Sequence, residues 1–190
     1  KCFKLNVFKV SIDDFYKTRR DRKLLSKNKH PLLMTRGVPG THDIDLMLDF
    51  FKKIKSNNFK KLEIPRFNKA IDDRYRKSLW YKLKSKPDVV IFEGWCVGAK
   101  PQTNNQLKKP INSLEKVYDQ NSIWRLYVNK ELKTKYKSLF KQLDGLLYLK
   151  AKNFNLLKVW RLKQERKLWV QTNNKKNLKI MSSKDIVNFM

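Results

Sequence analysis

The chain has 190 residues, 41% of them hydrophobic and 12% aromatic, enough for one domain with a core and too few to expect two independent ones. Its formal net charge of +28 comes mostly from lysine scattered along the whole chain among asparagine and isoleucine. That is the residue bias of an AT-rich genome, not the clustered stripe of a nucleic-acid module, so a polyanion partner is not expected and steering of small anions is the other use of such a field.

Three short apolar runs, residues 5–12, 89–92 and 146–149, read as buried parallel strands, each ending in polar residues or glycine. Helical patterns lie between and after them. Over 43–55, Ile44, Met47, Leu48, Phe51 and Ile54 recur at helical spacing, with Thr41 as the expected N-cap and Asp43 in the first turn. A second helix is expected over 129–143, a third over 155–170, and a fourth from Ser182 with Asp185 as its capping partner. The proline- and amide-rich stretch 95–122 reads as a mobile loop. Strands alternating with helices argue for an α/β sandwich around a mostly parallel sheet, with ligands beyond the carboxyl ends of the strands.

Cys2 and Cys96 are the two cysteines, which leaves no disulfide framework or cysteine metal motif and fits a reducing cytoplasm. No apolar run approaches the roughly 20 residues of a membrane span, and no leader pattern opens the chain, so a soluble protein is expected. The chain starts at Lys1 and stops at Met190 inside a helical pattern, as a fragment of a longer protein would.

Several segments carry chemistry. Asp13 and Asp14 follow the first strand, where a carboxylate can accept the proton of an attacking hydroxyl or hold a metal-bound water; a helix-capping turn is an equal reading of the same residues. Glu93 ends the strand at 89–92, the place where an acid orients Mg²⁺ beside phosphates, although Glu-Gly also punctuates ordinary turns. The loop from Arg36 to Asp43 carries Gly37 and Gly40, which permit close backbone approach, and His42, either a donor to an anion or a packing residue. Arg66 and Arg74 could grip a carboxylate or phosphate in bidentate fashion, or form surface ion pairs. On the third helix, Arg161 and Lys163 could close over a transferring phosphate, while Trp160 and Leu162 serve packing. Residues 94–100 imitate a phosphate loop but fail on spacing: three residues separate Gly94 from Gly98, Ala99 parts Gly98 from Lys100, and Pro101 follows.

Taken in order, these segments resemble the P-loop kinase family that includes D-glycerate 3-kinase of plants and fungi. The strings that carry the likeness are Ser11 to Tyr16, Arg36 to Asp43, Ile64 to Phe67 with Asp73-Arg74, Phe92 to Trp95 with Gly98 and Pro101, Trp160-Arg161 with Gln164-Glu165, and Met181-Ser182. The family usually has Asp where this chain has Asn68. The resemblance implies a P-loop NTPase-like three-layer α/β sandwich whose first strand and glycine-rich phosphate loop are not among these residues. It also implies transfer of the γ-phosphoryl group of ATP, with Mg²⁺, to a hydroxyl of glycerate or a related hydroxy acid. By similarity Asp13 is the general base and, with Glu93, the metal-side carboxylate. Asp14, Tyr16, Arg36, His42, Asp43, Arg66 and Arg74 are acceptor contacts, and Arg161 and Gln164 belong to the nucleotide side. Residues 1–190 are then one kinase-like domain, inactive and poorly stable by itself, because losing an interior strand leaves sheet edges unpaired. A decayed kinase-like protein and a basic nucleic-acid binder are the competing readings.

Overall fold

The structure, a computed structural model, describes residues 3–171. They fall into two compact units, one holding the described residues up to Phe67 together with Asp73–Asp144, the other Asn68–Asp72 and the described residues from Gly145 onward. The expected helix from Ser182 with Asp185 lies outside the described residues.

The first unit begins with β1 (Val7–Ser11), a 3₁₀ turn (Ile12–Phe15), α1 (Arg19–Asn28), a second 3₁₀ turn (Pro31–Met34) and α2 (Ile44–Lys55). β2 (Leu62–Ile64) follows, then the two-residue strands β3 (Phe67–Asn68) and β4 (Asp73–Arg74), and then β5 (Tyr81–Leu83) and β6 (Val89–Glu93). The chain closes the unit with α3 (Asn104–Leu107), α4 (Ser113–Tyr118), α5 (Ile123–Glu131), a π-helical turn (Leu132–Tyr136) and α6 (Lys137–Phe140). The second unit holds α7 (Phe154–Gln171), in good agreement with the helix expected over 155–170.

β1 and β6 pair in parallel, with Val7 opposite Val89 and Ser11 opposite Glu93. Because successive side chains of a strand alternate faces, Phe8, Val10, Val90 and Phe92 turn together to the core. There they meet the apolar stripe of α2, from Ile44 through Met47, Phe50 and Phe51 to Ile54, along with Ile12, Phe15, Tyr136 and Leu139. Each such side chain, fully buried, contributes about 1.5–3 kcal/mol of transfer free energy, so this cluster supplies the main driving force of the unit. The architecture is α/β, as expected, with a parallel pair backed by helices.

Several sequence expectations need correction. β1 and β6 are covered on one face, not two: Val7 and Ile91 on the other face remain 51% and 50% exposed. Continuous apolar runs of this kind normally mark strands covered on both sides. The run at 146–149 forms no strand at all, and Leu147 and Leu149 are each 85% exposed. A strand exists through its ladder, and among the described residues none pairs there; the other ladder of at least three residues, β2 with β5, is antiparallel.

The stretch 95–122 is not an irregular loop either. Thr103 and Gln106 form a capping box on α3, and Asn112 caps α4. Buried Asp119 accepts hydrogen bonds from the backbone of Trp124 and Arg125, and Arg125 donates to both Asp119 and the Leu107 carbonyl. The amides that suggested a loop are its helix caps. The helix expected over 129–143 starts earlier, at Ile123, and changes to a π turn before α6.

Gly94 follows β6 where the chain presses on Ile12: a Cβ there would collide with Ile12 Cγ2 and stand 3.3 Å from Val97 Cγ2. Gly94→Ala is expected to lower stability by about 1–3 kcal/mol in urea unfolding, as overpacking does. Gly145→Ala, with nothing within 4 Å of the added carbon, should change it by less than about 0.5 kcal/mol.

Candidate active site

The parallel register carries the chain out of β1 and β6 at the same edge, and that edge receives the acidic residues. Ser11 Oγ accepts from the Asp13 backbone N–H at 3.3 Å, capping the 3₁₀ turn. The turn sinks Ile12 and Phe15 into the core and leaves Asp13 and Asp14 half-buried above it. Glu93, opposite Ser11, is exposed at the end of β6. The two acidic segments therefore share the carboxyl edge of the pair, the place where open α/β sheets bind ligands.

The glycine loop is fastened to this edge. The Lys17 N–H donates to the Thr41 carbonyl (2.9 Å), the Asp43 N–H donates to the Phe15 carbonyl (2.8 Å), and Tyr16 and His42 form an antiparallel bridge. Thr41 Oγ1 donates to the Val38 carbonyl (2.7 Å) and accepts from the Gly37 N–H (3.2 Å), closing the loop on itself. Thr41 is thus not the N-cap of α2; Asp43 is, accepting from the Leu46 N–H at 3.2 Å. Trp95 Nε1 donates to the Gly37 carbonyl (3.0 Å), bringing the segment after β6 against the loop. Gly40 has φ +101°, and a Cβ on it would lie 2.5 Å from Tyr127 Cε1, so both backbone and space require glycine.

Arg74 braces the assembly. Its Nη2 donates to the Tyr16 carbonyl (2.8 Å) and to Asp43 Oδ2 (3.2 Å), a fork that lysine could not reproduce. Asp14 Oδ1 accepts from the Phe67 N–H at 3.2 Å. The Arg36 guanidinium lies over the Phe67 ring, and Arg66 stacks on Tyr75 and Tyr81 while donating to the Leu79 carbonyl. The structure therefore gathers Asp13, Tyr16, His42, Asp43 and Arg74 around one short stretch of backbone. Arg161 and Gln164 lie on α7 in the second unit, where Arg161 donates to Gln164 (2.7 Å) and pairs with Glu165 (2.6 Å).

Asp13 sits among groups that burial keeps neutral. The Tyr16 hydroxyl, hydrogen-bonded to Asp13, is pushed well above its usual range by burial and then by that carboxylate. Burial pushes the Cys96 thiol up to about 12, with Asp13 adding in the same direction. Burial holds the His42 imidazole down at about 3, against the opposing pull of Asp13. His42 is 1% exposed, stacks on Tyr16 with ring centroids 4.3 Å apart, and places Nδ1 2.6 Å from the Tyr136 hydroxyl.

Tyr136 and Arg22 are members that sequence reasoning missed, and Cys96 and Trp95 carried no site role there. Tyr136 lies within the helix expected over 129–143, where an aromatic ring reads as one more apolar position. Arg22 stood in a charge run, yet it is fully buried and donates to the carbonyls of Lys17 and Met34. Nothing in a charge run separates a clamped arginine from a solvated one.

Among the described residues no group of three or more His, Cys, Asp or Glu could hold a metal ion. A cavity of about 700 Å³, lined by Phe50, Lys60, Lys61 and Trp80 among others, includes neither Asp13 nor Glu93 in its lining. No described helix is long and apolar enough to cross a membrane.

The chain is similar to known proteins along most of its length. No protein-family model matches the chain. The sequence is 32% identical to mug58, described as an uncharacterized kinase, of Schizosaccharomyces pombe, over 97% of this chain and 66% of that protein. It is 30% identical to the chloroplastic D-glycerate 3-kinase of Arabidopsis thaliana, over 82% of this chain and 34% of that protein. The solved D-glycerate 3-kinase of Cryptococcus neoformans superposes with a TM-score of 0.79 at 25% identity, over 98% of this chain and 66% of that one. The chain belongs to the D-glycerate 3-kinase-like family of P-loop kinases. It spans 66% or less of the length of these family members.

The Cys96 thiol, buried and neutral, is expected to resist alkylation: at pH 8 iodoacetamide should leave it unmodified in the folded protein and label it once urea unfolds the chain. Mass spectrometry of the Cys96 peptide checks this, and equal labelling in both states would contradict the site as described.

Proposed function

We propose that the full-length protein transfers the γ-phosphoryl group of ATP to a hydroxyl of D-glycerate or a closely related small hydroxy acid. The observation that carries this reading is the register of β1 against β6, which sets Asp13 and Glu93 at one edge while the loop bearing His42 is bonded across Tyr16 to the same edge. Family membership supports the reaction class, and two relatives that are D-glycerate 3-kinases support the acceptor.

The acceptor hydroxyl would approach Asp13, whose carboxylate takes its proton as the new oxygen–phosphorus bond forms and ADP departs. The hydrogen bond from Tyr16 occupies one part of that carboxylate and orients the rest. Arg36 and Arg66, with Tyr16 and His42, are the side chains we assign to the acceptor. Their cations suit the carboxylate of a hydroxy acid. To Arg74, Asp14 and Asp43 we assign the holding of the backbone that presents them, on the strength of their hydrogen bonds. Asp13 and Glu93 are the residues that would hold Mg²⁺, which in this reaction class neutralises charge building on the phosphates. Arg161 and Gln164 remain our assignment for the nucleotide side. The 190 residues contain no glycine-rich loop followed by Lys and Ser or Thr, so the proposal concerns the full-length protein.

The test is acceptor-dependent release of ADP from ATP by the full-length protein, with D-glycerate and a panel of small hydroxy acids. Asp13→Asn should lower kcat at least about 100-fold, the usual contribution of a general base, while the melting temperature stays within a few degrees. No turnover with any member of the panel, or an Asp13→Asn variant of undiminished kcat, would overturn the reading.

A further inference from the structure

His42 Nε2 is buried and has no hydrogen-bond partner among the described residues. Leaving such a group unsatisfied costs about 1–3 kcal/mol, and a native structure tolerates that cost where something else completes the bond. What kind of partner is missing depends on whether Nε2 carries a proton. The chain's own hydrogen bonds decide that.

The Tyr136 hydroxyl is fully buried and bonded to the glycine loop. It accepts from the Gly40 N–H at 3.0 Å, and it lies 2.6 Å from His42 Nδ1. With its oxygen already accepting from the backbone, the hydroxyl proton has one acceptor within reach, His42 Nδ1. The alternative, Nδ1–H donating to the tyrosine oxygen, strands the tyrosine proton in the core. Tyr136 therefore donates, Nδ1 carries the lone pair, and the ring proton of the neutral imidazole sits on Nε2. Stacking on Tyr16 and the edge contact with Tyr136 hold the plane of the ring.

Tyr136 ends the π-helical turn Leu132–Tyr136 between α5 and α6. Such turns insert one residue into a helix and recur at functional sites. Here the turn brings a hydroxyl to the glycine loop 96 residues away in sequence.

We infer that Tyr136 is a positioning residue: fixed on the Gly40 N–H, its hydroxyl holds His42 in the Nε2–H form and so presents a neutral, immobile donor to an oxygen of the phosphoryl acceptor. The inference rests on the acceptor reading given above and deepens it. A donor that stays neutral binds a hydroxyl or carboxylate oxygen without competing for the proton that Asp13 must take. His42 touches the ligand, and Tyr136 acts through it.

The test begins with the full-length protein labelled with ¹⁵N-histidine, in which His42→Gln assigns the His42 signals. Long-range ¹H–¹⁵N correlation spectra at pH 7 should show His42 as the Nε2–H tautomer, and adding D-glycerate should shift the Nε2 resonance. An Nδ1–H tautomer, an imidazolium, or an Nε2 signal that D-glycerate leaves unmoved overturns the inference.

Kinetics supply the second arm. Tyr136→Phe should raise the acceptor KM about tenfold, the loss expected for one buried hydrogen bond, with the ATP KM unchanged within twofold. His42→Gln, whose amide N–H reaches the Nε2 position, should retain more acceptor affinity than His42→Asn, whose amide reaches Nδ1. Equal losses in the two histidine variants, or an unaltered acceptor KM in Tyr136→Phe, count against it. Turnover with a silent Nε2 signal sinks this inference alone, whereas absent turnover sinks the kinase reading.

Discussion

The five-residue parallel ladder between β1 and β6 is the constraint on which the rest of the first unit depends. Side chains alternate faces along a strand, so a slip of one residue would turn Val10 and Phe92 out of the core and Lys9 and Ile91 into it. The hydrophobic cost of that exchange holds the register. The register in turn carries Ser11 and Glu93 side by side, and the turn after Ser11 then raises Asp13 at the same edge. Gly94 belongs to the same constraint, because any larger residue would push the end of β6 away from Ile12.

Around that edge, burial works as chemistry. Tyr16, His42 and Cys96 are each pushed toward their neutral forms by desolvation, and Asp13 is the carboxylate that acts on all three. Arg74 spends its fork on the Tyr16 carbonyl and on Asp43, which stiffens the loop. The same economy governs Gly40, whose N–H goes to Tyr136 and whose missing side chain makes room for Tyr127.

How far the sequence could be read followed from how local each signal is. The spacing of Ile44, Met47, Phe51 and Ile54 revealed α2, because a helix buries one stripe whatever it packs on. The family likeness pointed to Asp13, His42, Asp43 and Arg74, and the fold does bring these together. The run at 146–149 misled, because apolar content alone cannot supply a ladder partner. Asp43, not Thr41, capped α2, because the threonine hydroxyl closes the loop instead. Both residue types make good caps, and the choice between them lay in the loop geometry.

What the sequence determined by itself was the α/β class, the positions of β1, β6, α2 and α7, and the acidic and basic residues offered near their ends. Periodicity and residue chemistry are local, and a chain carries them whether folded or not. The tertiary structure alone decided which of those residues meet. Hydrogen bonds spanning 94 and 96 residues join the Tyr136 hydroxyl to His42 and Gly40, and no spacing rule reaches that far. Whether a histidine is a donor, an acceptor or a cation depends on the atoms packed against its two nitrogens, and those atoms come together only when the chain has folded.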